Sequence, residues 1–372
     1  MCGIYGITSK DTNYISRFMD KCKHRGPDGN QVWEDPNNKV TLAHNLLSIM
    51  SDPKLSLQPW KTPAGNILIY NGEIFNFYEL KEKYKAQGFV DTTGTDTELL
   101  AWGLDTHGLN FIEEIDSMHG FAYYKPNLQE IWLSRDHAGI KPLFYAEIKE
   151  GLVFGSELKG MIEKVPGCNK IDMMSVSFMQ KTGINALGNT FFSGIKKLLP
   201  GETIIWDITN KRIKNTQRQY IKCSNTRKFN AEEFRQEARK TVEMCSIGQR
   251  KIGVFLSGGL DSSLIAYELK QIHGEVNSFT NKMYPSVQAD EDYNEDAKCA
   301  EILAKQNNFN HTEVPITPEI FLDSWDDSIY YMEQPIYNPS MSMYCYTNKF
   351  IADRGIVVTM AGDMGDEILT GY

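Results

Sequence analysis

Cys2 is the residue whose position most directly suggests chemistry. It follows the initiator methionine, and removal of that methionine would leave a cysteine with a free α-amino group. Such an amine has a pKa of about 7.7 to 8.0, so it can take the thiol proton without a separate histidine. The thiolate would add to a carboxamide carbon, ammonia would leave, and water would hydrolyse the resulting thioester. A cysteine at position 2 is weak evidence alone, so the hypothesis depends on the segments that follow.

Other polar segments of the first half contain groups that this reaction needs. Asn71 and Gly72 end an apolar run, where a side-chain amide and a backbone N–H can together donate to an oxyanion. Asp96 can accept from the α-ammonium of an amino acid, although its position also fits a helix cap. Residues 24–28 (HRGPD) form a compact polar turn. Each segment alone has a structural explanation that is about equally good.

A glycine-rich segment, SGGLDSS at residues 257–263, lies between an apolar run and a helical pattern. Paired glycines let the backbone turn tightly, and successive N–H groups at a helix N-terminus bind phosphate. The lysine and spacing of a Walker A loop are absent. Asp261 is a hard carboxylate of the kind that Mg²⁺ prefers. The segment therefore indicates a phosphate-binding loop rather than a plain turn.

Two patterns of secondary structure position these groups. Up to residue 208 the chain is typical of short strands and hairpins with a few helices. Residues 209–229 are polar, basic and poor in aliphatic side chains, which predicts a linker. From residue 230 onward, helical stretches alternate with strands, which predicts a parallel sheet with helices on both faces. The predicted strands of this second part are 252–256, 278–284, 311–316 and 356–360.

Composition limits the class of protein. The chain has 372 residues, which suggests two domains, and a net charge of −9, which argues against nucleic acid or an anionic membrane as the main partner. No run approaches the ~20 apolar residues of a membrane span, and the N-terminus lacks signal-peptide features, so we expect a cytoplasmic protein. Seven scattered cysteines without a CxxC pair predict neither a disulfide framework nor a zinc site.

Taken together and in order, the motifs of the first half resemble the class II glutamine amidotransferases. The matching segments are MCGIYGI, HRGPD, NGEIFN, GTDTE and RDHAGIKPL, spread over about residues 1–205. The resemblance implies the N-terminal-nucleophile fold, an αββα sandwich, as the domain 1–208. It also implies Cys2 as nucleophile, Asn71 and Gly72 as oxyanion hole, and glutamine contacts from Glu73 and Asp96. Further expected glutamine contacts are Leu46 and the backbone groups of Leu47, Ser48, Ile49 and Met50.

The second half resembles the ATP pyrophosphatases, and its end, AGDMGDE through Gly371 and Tyr372, resembles the second signature of the asparagine synthetase family. This implies a Rossmann-like parallel-sheet domain over 230–372. Asp261 and Asp366 are implied as Mg²⁺ ligands, and Asp363 as an aid to acyl-adenylate formation. The implied ATP-binding residues are Leu256, Ser257, Gly258, Gly259, Asp261, Ser262, Asn281, Ala361 and Gly362.

The resemblance implies a two-step reaction. Glutamine is hydrolysed in the first domain and ammonia passes internally to the second. There ATP and aspartate form β-aspartyl-AMP, which ammonia converts to asparagine. ATP and Mg²⁺ are the implied cofactors, since a free carboxylate is a poor electrophile and Mg²⁺ offsets phosphate charge.

The sequence departs from the family pattern twice. Leu46 stands where the family usually has an arginine that clamps the α-carboxylate of glutamine, so glutamine binds more weakly here or another group supplies the charge. The chain also stops where relatives continue with a helical segment, so we expect the second domain to be incomplete. Two alternatives stay open: a relative that amidates another carboxylate, or a glutaminase subunit that needs a separate C-terminal polypeptide. A second copy of the chain is another candidate partner, because family members are often dimers.

Overall fold

The computed structural model describes residues 1–221, 228–285, 292–363, 365–369 and 371. They form two compact units, Met1–Asn225 and Thr226–Tyr372. Part of the predicted linker, 222–227, and three residues of the C-terminal motif, Met364, Thr370 and Tyr372, lie outside the described residues. Within the described ranges, no helix combines the length and the apolar character that crossing a membrane requires.

The first unit contains two six-stranded antiparallel sheets. The first has the strand order β10-β8-β9-β1-β3-β2 and the second β12-β11-β7-β6-β5-β4, with the strands β1 (Gly3–Ile7), β2 (Gly29–Glu34), β3 (Thr41–Leu46), β4 (Trp60–Lys61), β5 (Ile67–Ile74), β6 (Ser117–Lys125), β7 (Glu130–Arg135), β8 (Phe144–Ile148), β9 (Gly151–Gly155), β10 (Lys196–Lys197), β11 (Glu202–Asp207) and β12 (Arg212–Arg218). The helices are α1 (Thr12–Lys21), α2 (Phe77–Lys85), α3 (Asp96–His107) and α4 (Met173–Thr182).

Side chains alternate between the two faces of each strand, so each sheet packs against the other sheet on one face and against helices on the opposite face. In β5, Ile67 and Ile69 pack into a core shared with strands of the other sheet, whereas Leu68 and Tyr70 pack against residues of α2 and α3. On the outer face of the first sheet, β1 contributes Tyr5 to a separate core with α1. Side chains that point to opposite faces of buried strands thus separate helix, sheet, sheet and helix layers. This arrangement confirms the predicted αββα sandwich.

The predicted linker 209–229 contains a strand. Residues Arg212–Arg218 form β12 and pair with β11 along its length, with a register shift at Ile205 and Trp206. The side chains of β12 are mostly exposed, so backbone hydrogen bonds rather than burial hold this strand at the sheet edge. The domain boundaries at 208 and 230 stay predictions.

The second unit is a parallel sheet of four strands in the order β15-β14-β13-β16. Its strands are β13 (Ile252–Phe255), β14 (Asn277–Met283), β15 (Asn310–Ile316) and β16 (Val358–Met360). Its helices are α5 (Ala231–Cys245), α6 (Leu260–His273), α7 (Glu295–Asn307), α8 (Pro318–Met332), α9 (Ser340–Ala352) and α10 (Gly365–Leu369). One face packs residues of α5, α6 and α7, and the other packs residues of α9, which confirms the predicted Rossmann-like architecture.

The strand order creates a crevice in this sheet. The chain runs outward from β13 through β14 to β15, and then returns to place β16 on the other side of β13. In open parallel sheets, ligands bind outside the carboxyl ends of the strands at such a reversal. The ends of β13 and β16 lead directly into the glycine-rich loop and the C-terminal acidic motif.

Candidate functional site

Cys2 lies at the start of β1, a central strand of the first sheet between β3 and β9. The backbone N–H of Leu47, just beyond β3, donates to the Cys2 sulfur at 3.3 Å, and the Leu47 carbonyl lies 3.5 Å from the same atom. Burial raises the pKa of the Cys2 thiol, and this backbone contact lowers it. The sulfur is therefore held in a defined place among polar backbone groups.

The HRGPD turn holds the chain start in place. Arg25, 7% exposed, donates from Nε to the Cys2 carbonyl at 2.9 Å and from Nη1 to Glu157 at 3.0 Å. His24 also contacts the Glu157 carboxylate, at 2.8 Å. Burial works to raise the pKa of Glu157, but His24, Arg25 and Lys159 together lower it to about 2. An ionised carboxylate thus anchors the turn beside Cys2.

The predicted backbone contact segment lies against this turn. The Asp28 N–H donates to the Leu46 carbonyl at 3.0 Å, and the Ser48 N–H donates to the Asp28 carboxylate at 2.9 Å. A side chain at Gly26 would collide with the backbone of Asn45, so the close approach needs glycine. The Leu46 side chain is only 2% exposed. Ile49 and Met50, which complete the segment, are half-buried.

Asn71, Gly72 and Glu73 lie near the end of β5, paired with β6. Asn71 is 1% exposed and Glu73 6% exposed, yet Nδ2 of Asn71 and Oε1 of Glu73 have no hydrogen-bond partner in the described part of the chain. A side chain at Gly72 would collide with the Met118 carbonyl. Buried polar atoms normally have partners, so these two atoms indicate a place that a polar ligand fills.

Asp96 begins α3, and the cap of that helix is Thr95, not Asp96. The Asp96 carboxylate instead accepts from the Tyr70 hydroxyl at 2.9 Å and from the Ile74 N–H at 3.1 Å. Burial raises the pKa of Asp96 to about 6. Burial, and then the Asp96 charge, raise the pKa of Glu73 well above its usual range. Two buried carboxyl groups in one place favour a cationic ligand.

These groups converge on one region of the first unit. Burial, followed by the charges of Asp96, Glu73 and Cys2, raises the pKa of the Tyr70 hydroxyl. Tyr70, Glu157 and Lys141 belong to this region and were not predicted from sequence. Tyr70 and Glu157 have partners that are far away in the sequence, so no local pattern indicates these two residues. The RDHAGIKPL motif contains Lys141, and the HRGPD motif contains Arg25, the partner of Glu157.

In the second unit, the glycine-rich loop joins β13 to α6. Gly258 has a φ of +79°, and a Cβ there would lie 2.5 Å from the Cys299 Cβ. The Ser257 N–H donates to the Ser262 hydroxyl at 3.2 Å, and the Gly259 N–H donates to the Ser257 hydroxyl at 3.3 Å. The loop is therefore fixed by its own side chains, and the conformation requires glycine at 258.

This loop borders a cavity of about 790 Å³ at the carboxyl ends of β13 and β16. That volume lies within the usual range for small-molecule sites. Gly258 alone among the predicted ATP-binding residues does not line the cavity; it shapes the loop behind it. Asn281 is held by the Thr347 hydroxyl, which donates to it at 2.6 Å. Lining residues that the sequence did not predict are Phe255, Phe279, Thr280, Met283, Tyr293, Asp296, Met343 and Tyr344.

The carboxylates of this cavity fit a hard cation. Asp261, Asp363 and Asp366 all line it. A Cβ at Gly365 would lie 2.7 Å from Asp261 Oδ2, so the C-terminal motif packs directly against that carboxylate. No group of three or more His, Cys, Asp or Glu side chains in the described ranges is arranged to hold a metal. Mg²⁺ is commonly held by one or two carboxylates together with substrate phosphates, so an oxygen-only pair fits this ion.

Comparisons with known proteins identify a domain family for each part of the chain. The glutamine amidotransferase domain model matches residues 1–221, and the asparagine synthase model matches residues 233–372. Asparagine synthetase [glutamine-hydrolyzing] 2 of Bacillus subtilis is 28% identical over 406 aligned positions, which cover 100% of this chain and 52% of that protein. Putative asparagine synthetase [glutamine-hydrolyzing] 2 of Methanocaldococcus jannaschii is 26% identical, with 100% and 76% covered. The chain thus spans about half the length of the Bacillus relative.

Among solved structures, the glutamine phosphoribosylpyrophosphate amidotransferase from B. subtilis is similar at 15% identity and a TM-score of 0.44, covering 74% of this chain and 65% of that one. A similarity of this size adds nothing to the functional assignment.

Proposed function

Because the chain belongs to the glutamine-hydrolysing asparagine synthetase family, we propose that it releases ammonia from glutamine at Cys2 and uses ATP to transfer that nitrogen to aspartate. The unpartnered buried atoms of Asn71 and Glu73, in the same region as the Cys2 sulfur, are the observation that carries the first half of this proposal. Glutamine can supply the missing partners, because its carboxamide oxygen can accept from Asn71 and its α-ammonium can donate to Glu73.

Each group of the first site has a proposed role in glutamine hydrolysis. With Met1 removed, the Cys2 amine takes the thiol proton and the thiolate adds to the carboxamide carbon. The negative charge on the carboxamide oxygen is stabilised by Asn71 Nδ2 and the Gly72 N–H. Glu73 and Asp96 bind the α-ammonium, and Leu46 together with backbone groups of residues 47–50 lines the rest of the substrate. Ammonia leaves with the proton from the amine, and water hydrolyses the thioester to glutamate.

We assign the second site to ATP. The loop of Ser257, Gly258 and Gly259 binds phosphate through its N–H groups, and the other predicted residues of the cavity surround the nucleotide. Asp261 and Asp366 would hold Mg²⁺, which when bound offsets negative charge on the phosphates. Asp363, on the cavity wall, assists the attack of the aspartate β-carboxylate on the α-phosphate. Pyrophosphate leaves, and ammonia then displaces AMP from β-aspartyl-AMP to give asparagine.

Two assays test the proposal. The purified chain should release ammonia from glutamine, and Cys2→Ala should abolish that release, whereas Cys299→Ala, a control in the other unit, should leave it unchanged. Exchange of labelled pyrophosphate into ATP should depend on aspartate. If the exchange depended on a different carboxylic acid, that acid and not aspartate would be the acceptor. Ammonia release without any exchange would restrict the function of this chain to glutamine hydrolysis.

A further inference from the structure

Lys141 is a buried lysine of the first unit whose charge acts on Cys2, and it has no role in the reaction just described. Its exposure is 5%. Its ammonium forms no ion pair with the residues that the structure describes, unlike Arg25, which pairs with Glu157. A buried cation without a counter-ion is costly in free energy. An anion that forms beside it during a reaction would therefore be strongly favoured.

The loop that carries Lys141 is rigidly held. Asp136, which is fully buried, accepts from the backbone N–H groups of Ile140 at 2.8 Å and Lys141 at 3.0 Å. The Arg135 guanidinium donates to the Lys141 carbonyl at 2.7 Å and to the Leu198 carbonyl at 2.7 Å. The backbone at Lys141, from which the side chain starts, is thus fixed by contacts outside the reaction site.

This position is next to the oxyanion groups. A Cβ built at Gly120 would lie 3.7 Å from the Lys141 Cβ, and Gly120 is the cross-strand partner of Asn71. The side chain therefore starts beside Asn71.

The electrostatic effects on Lys141 link its ammonium to Cys2. Burial and the Arg25 charge lower the pKa of Lys141 to about 8, whereas Cys2, Glu73 and Asp136 raise it. In return, Lys141 and Arg25 work to lower the pKa of the Cys2 thiol against the effect of burial. Arg25 is paired with Glu157, whereas Glu73 and Asp136 act on Lys141 through their charges without forming an ion pair with it in the described part of the chain.

We propose that the Lys141 ammonium stabilises the negative charge that forms first on the Cys2 sulfur and then on the carboxamide oxygen of glutamine. This inference rests on the proposed glutamine hydrolysis. Lys141 neither gives nor takes a proton in it: the thiol proton goes to the Cys2 amine and leaves with ammonia. The effect is electrostatic and acts on the thiolate and on the oxyanion.

Lys141→Met, which removes the charge and keeps the length, tests the proposal in the full chain. The rate of Cys2 alkylation by iodoacetamide is measured against pH, with peptide mass spectrometry to identify the modified residue. We expect its midpoint to rise by about one pH unit, as for loss of a nearby opposite charge. The kcat for ammonia release should fall about 10- to 100-fold, with a KM for glutamine within about threefold of the unsubstituted chain.

Lys197→Met is the matched control. Lys197 is half-buried in the same unit, and its ammonium donates to the Asn185 carbonyl, but Cys2 is not among the charges that act on it. The alkylation midpoint of this variant should not move. Lys141→Arg keeps the charge and should keep the midpoint. Lys141→Gln is the second neutral variant if Lys141→Met does not fold.

A raised KM with unchanged kcat and an unchanged alkylation midpoint would overturn the proposal, because Lys141 would then bind the α-carboxylate of glutamine. A loss of activity with an unchanged midpoint would also overturn it and leave a structural role. If the unsubstituted chain releases no ammonia but the midpoint still shifts, the proposed function fails while the effect of Lys141 on the thiolate stands.

Discussion

We expect the side chain at position 46 to determine how tightly glutamine binds. Leu46 is buried at the end of β3, and its carbonyl accepts from the HRGPD turn beside Cys2. Leu46→Arg should lower the KM for glutamine about tenfold, because a guanidinium can bind the α-carboxylate through two hydrogen bonds. The variant should also be less stable, since the charge enters a buried position. Steady-state kinetics of ammonia release measure the effect.

Leu46→Met is the control for this substitution, because it changes the shape of the side chain without adding charge. Its KM should match that of the unsubstituted chain. An equal KM for the arginine and methionine variants would reject the idea that this position limits glutamine binding.

Glu157 is the residue that holds the turn in place, and its loss should destabilise the first unit. Glu157→Gln leaves Arg25 buried without its carboxylate, which costs about 3 kcal/mol in the free energy of unfolding. Urea unfolding at pH 7 measures this difference. Glu163→Gln, which removes an ion pair at a partly exposed site, should cost only about 0.5 kcal/mol.

The pKa of Glu157 gives the same prediction a pH dependence. Its folded value of about 2 lies below the ordinary value of about 4.3, so its contribution is present above pH ~4.3 and is lost as the pH falls toward 2. The difference between the unsubstituted chain and Glu157→Gln should therefore shrink between pH 5 and pH 2. A constant difference over that range would contradict the assigned ion pairs.

The turn between β13 and α6 is the element on which nucleotide binding depends. Gly258→Ala puts a methyl group 2.5 Å from the Cys299 Cβ at a φ of +79° and should weaken ATP binding at least about tenfold, because the loop must open. Gly274→Ala is the matched control, since Gly274 caps α6 at a φ of +73° with nothing near its Cβ position. It should cost about 1 kcal/mol in stability and leave ATP affinity unchanged. Calorimetric titration with ATP separates the two, and equal affinities would contradict the role of the loop.

Secondary-structure elements with a strong apolar pattern were predictable from sequence. The strands β13, β14, β15 and β16 lie within one or two residues of their predicted limits. The edge strand β12 was predicted as part of a linker, because its side chains are polar and exposed and its stability comes from backbone pairing that side-chain patterns do not encode. Alternation of apolar and polar residues indicates a strand with one buried face, so it does not indicate an exposed edge strand.

Tertiary contacts set the limit on predicting the site. Asn71, Gly72 and Asp96 were predicted because motifs place them next to strand and helix ends, and the structure brings them into one region. The ion pair of Arg25 with Glu157 joins residues 132 positions apart, and the burial of Lys141 depends on packing of a loop against β6. Neither has a local sequence signature. Packing therefore decides which charged residues of a motif remain without a partner.

For the molecule as a whole, the two units carry different parts of one proposed reaction. The first unit contains the thiol and its polar surroundings, and the second contains the loop, the cavity and the carboxylates. Everything proposed for the second unit in nitrogen transfer depends on ammonia produced in the first. The whole proposed reaction therefore depends on the glutamyl thioester that forms on Cys2.

Rapid acid quenching of the full chain during turnover of glutamine, followed by mass spectrometry of the N-terminal peptide, would detect this thioester. We predict a peptide that begins at Cys2 with a free α-amino group and carries a glutamyl group on sulfur. The adduct should be absent from Cys2→Ala and should disappear when glutamine is exhausted. A turnover-competent chain that retains Met1, or that carries the glutamyl group on another residue, would contradict the account.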